Sequence, residues 1–421
     1  VAVGVVHVES LTVERIAAGG DGVARGADGR VVFLPHTAPG DQVEAEVRAQ
    51  PGARFARGRV RRLLTPGPGR ADPPCPHYAD DGCGGCQLQH LVPEAQRAAK
   101  AALVADAFAR IARRPLPPPE VVASPSPWRY RRKATFTLRP GGGGFHAADD
   151  PDRLVAVSDC LITEPAVIEA LLAVRAARAW LPEAPEWRVS ARRLDDGAVG
   201  VVVEEGAGPG WAAFPHFIAQ LPTVSALWWR PTGASRPRAL LDRRPGGRDA
   251  APAFVQVHAD LAGQLAAYVE AQVADVAPAT IVDAFAGSGA GARALADRTG
   301  ARVAMIERDA IAAEIARGAA HPMVAVHEGA VEALLAGLLP ADVVVLNPPR
   351  GGLEARVPAL LDSQPGVRRI VYVSCDPATL ARDVARLPHW GVTAVRCFDL
   401  FPQTAHVETV VTLAPAGATV A

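Results

Sequence analysis

The stretch Thr280-Ile281-Val282-Asp283-Ala284-Phe285-Ala286-Gly287-Ser288-Gly289-Ala290-Gly291 decides the fold. An apolar, β-branched run reads as a buried strand, meets an acidic residue, and passes through a Gly-rich turn into an Ala-rich helix. Glycines in that turn let the backbone approach a ligand closely. Working outward, a second strand at residues 303–306 ends about twenty residues later in Glu307, whose carboxylate can accept both hydroxyls of a ribose. A third strand ends in Asn347-Pro348-Pro349-Arg350, and a fourth runs through Val371-Tyr372-Val373-Ser374 into Cys375-Asp376-Pro377. From Gln256 onward helix and strand alternate, which predicts a doubly wound parallel sheet. Gly287, Gly289 and Gly291 fit the dinucleotide pyrophosphate fingerprint only loosely, and an Asp before the turn suits S-adenosylmethionine better.

Cys375 stands where the fourth strand gives way to a helix. Asp376 reads as its N-cap and Pro377 as its first helical residue, so the thiol is expected beside a positive helix end that favours the thiolate. Taken alone, this segment also suits a buried structural cysteine. The preceding cofactor loop and Asn-Pro-Pro turn make it a candidate nucleophile.

The chain of 421 residues has room for two or three domains. Its 44 basic and 44 acidic residues balance, yet residues 1–140 hold 20 Lys and Arg against 13 Asp and Glu. That asymmetry suits an N-terminal half that meets a polyanion. No run of about 18 apolar residues and no basic-then-apolar leader is read, so a soluble, cytoplasmic protein without membrane association is expected. In that compartment the six cysteines are expected to be free, metal-binding or catalytic.

Short β-like runs at 1–11, 31–34 and 43–47, separated by Gly-rich turns, predict a small N-terminal antiparallel barrel. Arg48, Arg54, Arg57, Arg59, Arg61 and Arg62 form a basic strip suited either to phosphate contacts or to a solvated face. Proline-rich residues 66–74 mark a linker. Residues 87–113 predict a helix, 127–245 alternate strand and helix, and Gly141–Gly144 reads as a hairpin tip. Trp128-Arg129-Tyr130-Arg131-Arg132-Lys133 combines rings with cations and is a second candidate for holding RNA. Cys75, Cys83, Cys86 and Cys160 have one Cys-x-x-Cys pair and two distant members, a spacing that suits zinc and an iron–sulfur cluster about equally.

In this order, the Gly loop, Asn-Pro-Pro-Arg and Ser-Cys-Asp-Pro resemble the RNA uracil-5 methyltransferases, and the resemblance extends over nearly the whole chain. Phe254-Val255-Gln256 matches a Phe-x-Gln element of that family, and His406-Val407-Glu408 its terminal His-x-Glu. The first residues look like its TRAM barrel, and Cys75, Cys83, Cys86 and Cys160 resemble the ligands of its iron–sulfur members, most like those acting on 23S rRNA. The family often has Asp where this chain has Asn347, and Asn or a similar residue in place of Ala290. Asn347 can still face uracil, its amide accepting from N3–H and donating to O4.

The resemblance implies a multi-domain α/β protein. Residues 1–66 would form an RNA-binding TRAM (OB-like) β-barrel, 67–252 a central α+β domain with a [4Fe-4S] cluster, and 253–421 a Rossmann-like S-adenosylmethionine-dependent methyltransferase. The 87–113 helix would pack on the catalytic domain. Cys375 would add to carbon 6 of uracil and Glu408 would remove the carbon-5 proton. Gln256, Phe285, Gly287, Gly289, Glu307 and Asn347 would bind the cofactor, and Cys397 would be a core residue. The partner implied is RNA, 23S rRNA in the first place and tRNA as the alternative, its target base flipped out of the stack, with no obligate protein partner. An RNA cytosine-5 methyltransferase is disfavoured because residues 347–350 lack a cysteine, and in an amino-methyltransferase Cys375 would be incidental.

Overall fold

The structure is a computed structural model that describes residues 5–49, 53–194, 196–244 and 258–417. Contacts divide the chain into two compact units. The first comprises Val1–Gln96, Ser126–Pro252 and Pro402–Ala405, and the second Arg97–Pro125, Ala253–Phe401 and His406–Ala421.

The first unit contains two sheets. A six-stranded sheet runs in the order Val5–Thr12, Gln42–Ala49, Phe55–Thr65, Val31–Leu34, Gly22–Arg25, Arg15–Ile16. Period-two alternation sends Val43, Ala45 and Val47 inward and leaves Glu44, Glu46 and Arg48 on the other face. Arg57, Arg59, Arg61 and Arg62 are exposed on Phe55–Thr65, whereas Arg48 lies on the neighbouring strand and Arg54 precedes it. The second sheet has seven strands, Leu154–Val155, Gly142–His146, Lys133–Arg139, Trp187–Arg193, Val199–Glu204, Ala226–Arg230 and Arg238–Asp242. Val167, Ile168, Leu171 and Val174 recur at helical spacing along Pro165–Ala176 and are buried in one cluster with Phe136, Leu138, Val189 and Val201 of that sheet. Gly142, Gly143 and Gly144 belong to the returning strand of the expected hairpin, leaving Pro140 and Gly141 as its tip.

The helix expected at 87–113 begins only at Pro93, runs to Ala107, and closes with a π-helical turn, Phe108–Ala112. Pro93 lacks an N–H and suits a first turn. The N–H groups of Gln87 and Leu88 donate instead to the carbonyl of Gln403, which holds residues 87–88 out of the helix.

The second unit is built on an eight-stranded sheet in the order Val324–Glu328, Arg302–Glu307, Thr280–Ala284, Val343–Leu346, Arg369–Ser374, Glu408–Pro415, Trp390–Phe398, Val121–Val122. Its central strands are buried on both faces. Val282, Val344, Ile370 and Tyr372 pack to one side, and Ile281, Val343, Val371 and Val373 to the other. Each such side chain is worth roughly 1.5–3 kcal/mol relative to exposure, which is why these strands read as continuous apolar runs. The sheet departs from the wholly parallel expectation at Glu408–Pro415, which is antiparallel to both neighbours. The 399–407 connection is too short for the helical crossover a parallel pair needs, so the chain returns as a hairpin. Glu408 therefore begins its strand at the edge where the parallel strands end.

Candidate active site and thiol pocket

At that edge the Thr280–Ala284 strand turns through Phe285, a half-buried residue at φ +66°, in the left-handed region. Such a non-glycine residue costs on the order of 1–3 kcal/mol. The bend aims the N–H of Gly287 at Glu307 Oε2, 2.8 Å away, while Asp309 N–H donates to Oε1 at 2.6 Å. Glu307 is thus fixed across the Gly turn, and its remaining lone pairs are left for a ligand. Gly289 (φ +73°) precedes the Ala290–Thr299 helix, and a Cβ there would lie 2.8 Å from the sulfur of Met305. Behind the turn, Asp283 is buried, and burial together with the Glu307 charge pushes its carboxyl up to about 7. Asn347 is exposed at the end of Val343–Leu346, its N–H donating to Ala284 O at 3.3 Å. Gln256 lies outside the described residues.

Ser374 is the last residue of its strand and pairs with Thr409, so one step further the register sets Cys375 against Glu408. Glu408 is 4% exposed, and burial pushes its carboxyl up to about 7 against the opposing pull of Arg350. Asp376 caps the Pro377–Ala385 helix as expected, accepting from Thr379 N–H at 2.8 Å. The thiol, however, is not shifted toward thiolate. Burial, then the Glu408 carboxylate, raise Cys375, while the positive charge of Arg350 opposes both. Burial and Glu408 outweigh the helix end, whose Thr379 N–H is engaged by Asp376 and whose 376 N–H is engaged by Ser374 Oγ. Cys375 and Glu408 disfavour simultaneous ionisation, and Arg350 is the cation that eases it. Arg350 Nη2 also lies 3.3 Å from His406 Nε2.

In the first unit, Cys75, Cys83, Cys86 and Cys160 line one pocket together with Gln89 and Arg131. Burial raises Cys75, and pushes Cys83 up to about 11 and Cys86 up to about 12. Two buried polar atoms there, Gln89 Oε1 and Arg131 Nε, have no hydrogen-bond partner among the described residues. Among those residues no three His, Cys, Asp or Glu side chains are gathered closely enough for a single metal ion. Cys397 is fully buried in Trp390–Phe398, with its sulfur 3.6 Å from Thr409 Oγ1.

Of the aromatic–basic segment, Tyr130 is turned inward. Tyr130 is buried against Cys75 and Cys86 and donates its O–H to Pro402 O at 2.9 Å. Arg129 makes a two-pronged bond to Asp159 at 2.8 and 2.6 Å, and burial beside Arg192 pushes Lys133 down to about 8. Tyr130 packs beside the thiol pocket and Arg131 lines it, whereas Trp128, Arg129, Arg132 and Lys133 remain partly exposed.

The Asp before the Gly turn, read from the sequence as suited to S-adenosylmethionine, is the buried, raised carboxyl of Asp283. One further residue, Asp383, had no role in the sequence reading. Asp383 is fully buried on the Pro377–Ala385 helix between Leu380, Ala381 and Val384. The available signal for Asp383 was an acidic residue on the apolar face of an amphipathic helix.

The doubly wound sheet, the Gly turn tied to an acidic strand end, and a thiol set against a buried carboxylate define a methyltransferase with a catalytic cysteine candidate. The sequence profile of tRNA (Uracil-5-)-methyltransferases matches residues 338–415, and that of the TRAM domain residues 5–60. The chain is 35% identical to the 23S rRNA (uracil(1939)-C(5))-methyltransferase RlmD of Chromohalobacter salexigens, over 96% of this chain and 89% of that protein. It is 33% identical to an uncharacterized RNA methyltransferase, SCO5901, of Streptomyces coelicolor, over 95% and 91%. The fold is that of the tRNA (uracil-54, C5)-methyltransferase of Pyrococcus abyssi in complex with S-adenosyl-L-homocysteine, with a TM-score of 0.70, 23% identity, and 96% and 99% of the two chains covered. The protein belongs to the RNA uracil-5 methyltransferase family.

Proposed function

We propose that this protein methylates carbon 5 of a uridine in 23S rRNA by way of a covalent adduct between Cys375 and carbon 6. The observation that carries the proposal is the register that sets Cys375 against Glu408 beside Arg350. Carbon 5 of uracil is a weak nucleophile. Addition of the Cys375 thiolate to carbon 6 moves the ring electrons toward O4 and makes carbon 5 an enolate carbon that can attack a methyl group. S-adenosylmethionine supplies that methyl. Glu408 then takes the proton from carbon 5, and the electrons of that C–H bond re-form the ring double bond as the sulfur leaves carbon 6. Arg350 holds the reacting thiolate beside the carboxylate, and the Asn347 amide orients the base.

For the cofactor, Glu307 would accept ribose hydroxyls, the Phe285–Gly289 turn would give close backbone approach, and Asp283 would meet a cationic group. Gln256 is assigned on the family resemblance alone. The target uridine would enter flipped from its stack, with the exposed arginines of Phe55–Thr65 holding flanking phosphates.

For Cys75, Cys83, Cys86 and Cys160 we propose a [4Fe-4S] cluster over zinc. A single zinc ion draws its ligands to one point, whereas a cluster takes one thiolate per iron and spreads them around a cage. The four thiols share one pocket and the unpartnered Arg131 Nε suits an anionic group, while the choice of a cluster over zinc follows the resemblance to the family's iron–sulfur members. The cluster would supply a rigid or redox-sensitive knot for the first unit, and no step of methyl transfer is assigned to it.

Among the described residues no helix is long and apolar enough to cross a membrane. The domain division proposed is 1–66, 67–252 and 253–421, and the site of action the cytoplasm. Nucleoside mass spectrometry of 23S rRNA and tRNA from a deletion strain tests the substrate. Loss of 5-methyluridine from one 23S position is expected. Loss from tRNA alone would move the activity to tRNA, and loss of 5-methylcytidine or of an N-methylated base would overturn the uracil reading.

A further inference from the structure

The turn that carries Asn347 and Arg350 is fastened at its far end to one buried carboxylate. Asp383 is fully buried, and its Oδ2 accepts the Leu353 N–H and the Tyr372 O–H, both at 2.8 Å. Its Oδ1 accepts from Arg382 at 2.9 Å and from Arg386 at 3.3 Å. Arg382 Nη2 reaches on to the carbonyl of Gly351 at 2.8 Å, and Gly352 N–H closes the turn onto Pro349 O at 2.8 Å. Gly352 lies at φ +77°, and a Cβ there would fall within 2.5 Å of Thr379, Asp383 and Arg382. The turn is thus pressed onto the helix with no room for a side chain, and Asp383 binds it both directly, through Leu353, and through Arg382.

A surface turn needs none of this. Burying a carboxylate is costly unless it is paired and hydrogen-bonded, and two arginines, a tyrosine and a backbone N–H are committed here to satisfying one. Burial and the Asp383 charge both raise Tyr372, which keeps its phenol protonated and a donor. The anchored segment begins at the exposed Asn347 and includes Arg350, the cation whose charge acts on both Cys375 and Glu408.

We infer that Asp383 is a positioning residue for methyl transfer: through Leu353, Gly351 and Tyr372 it locks the 347–353 turn so that Arg350 stays on the Cys375 thiol. The inference rests on Cys375 being the reacting thiol. It makes no contact with substrate necessary for Asp383 itself, and it assigns the Arg382 and Arg386 guanidinium groups to holding Asp383 rather than to RNA.

The test is the pH profile of iodoacetamide alkylation at Cys375, read by peptide mass spectrometry on the full chain, in the original protein and in Asp383→Asn, Arg350→Ala and the double variant. Freed from its anchor, Arg350 leaves the thiol, so the Asp383→Asn profile moves to higher pH and the rate at pH 8 falls on the order of threefold or more. Turnover falls roughly 10- to 100-fold with KM for S-adenosylmethionine unchanged, the scale of a misplaced catalytic group. In the double variant, alkylation is no slower than in Arg350→Ala alone, because both changes remove one interaction. Should Asp383→Asn fail to fold, Gly352→Ala and Tyr372→Phe loosen the same anchor and are expected to shift the profile in the same direction. An unshifted alkylation profile in a folded variant, or fully additive effects with Arg350→Ala, overturns the inference. Absence of 5-methyluridine formation by the original protein overturns the proposed function instead.

Discussion

Replacing Glu408 with Gln keeps size and shape but removes both the charge and the basicity of the carboxylate facing Cys375. In the original protein that carboxyl is pushed up to about 7, so about a tenth is ionised at pH 6 and about nine-tenths at pH 8. Methyl transfer is therefore expected to rise roughly tenfold over that range from this group alone, and more steeply where the raised Cys375 thiol also ionises. In Glu408→Gln the step near pH 7 disappears and turnover drops by about 10²- to 10⁴-fold, the usual cost of losing a general base. Adduct formation has the opposite sign. With the carboxylate gone, the thiol loses a repulsive neighbour and ionises at lower pH, so the denaturation-resistant protein–RNA adduct forms readily but cannot resolve. The assay is transfer of labelled methyl from S-adenosylmethionine as a function of pH, alongside denaturing gel mobility of labelled RNA. Turnover within a few-fold of the original protein, or an unchanged step near pH 7, would refute the role given to Glu408.

Cys375→Ala is expected to abolish both turnover and adduct while leaving S-adenosylmethionine affinity unchanged by calorimetry. Asp283 titrates at about 7 and would meet the cofactor's cation as a carboxylate, so the dissociation constant should rise about tenfold from pH 8 to pH 6, and this slope should vanish in Asp283→Asn. Cys86→Ser should yield protein without brown colour or bound iron after anaerobic purification, whereas a colourless original protein containing zinc would replace the cluster proposal. Lys100 donates to Asp399 at 2.5 Å and both are buried, so Lys100→Ala should cost about 3–5 kcal/mol in urea unfolding by leaving the carboxylate unpaired.

Much of the second unit was legible because its signals are local. The Thr280–Ala284 strand, the Gly turn, Glu307 at a strand end and the Asp376 cap all follow from neighbouring residues, and each stands where expected. What escaped depends on residues far apart in sequence. The antiparallel return at Glu408 follows from the length of the 399–407 connection and fixes which residue faces Cys375. The state of the thiol was misread from the helix end alone, since Glu408 and burial act across strands. Tyr130 read as part of an RNA-binding surface because composition does not say which way a ring points; the structure buries it and turns its hydroxyl toward Pro402. Asp383 gave one faint sign, a charge on an apolar helix face, and its partners lie 11 and 30 residues away in sequence.

The most direct measurement uses a 23S rRNA fragment carrying 5-fluorouridine, incubated with the protein and S-adenosylmethionine. Fluorine at carbon 5 cannot be removed as a proton, so a covalent route stalls after methyl transfer. Mass spectrometry of the digested complex is expected to find the peptide containing Cys375 joined to one methylated fluorouridine nucleotide, and no such species in Cys375→Ala. Efficient formation of 5-methyluridine from ordinary RNA by Cys375→Ala, or a trapped nucleotide on a different cysteine, would contradict the covalent mechanism.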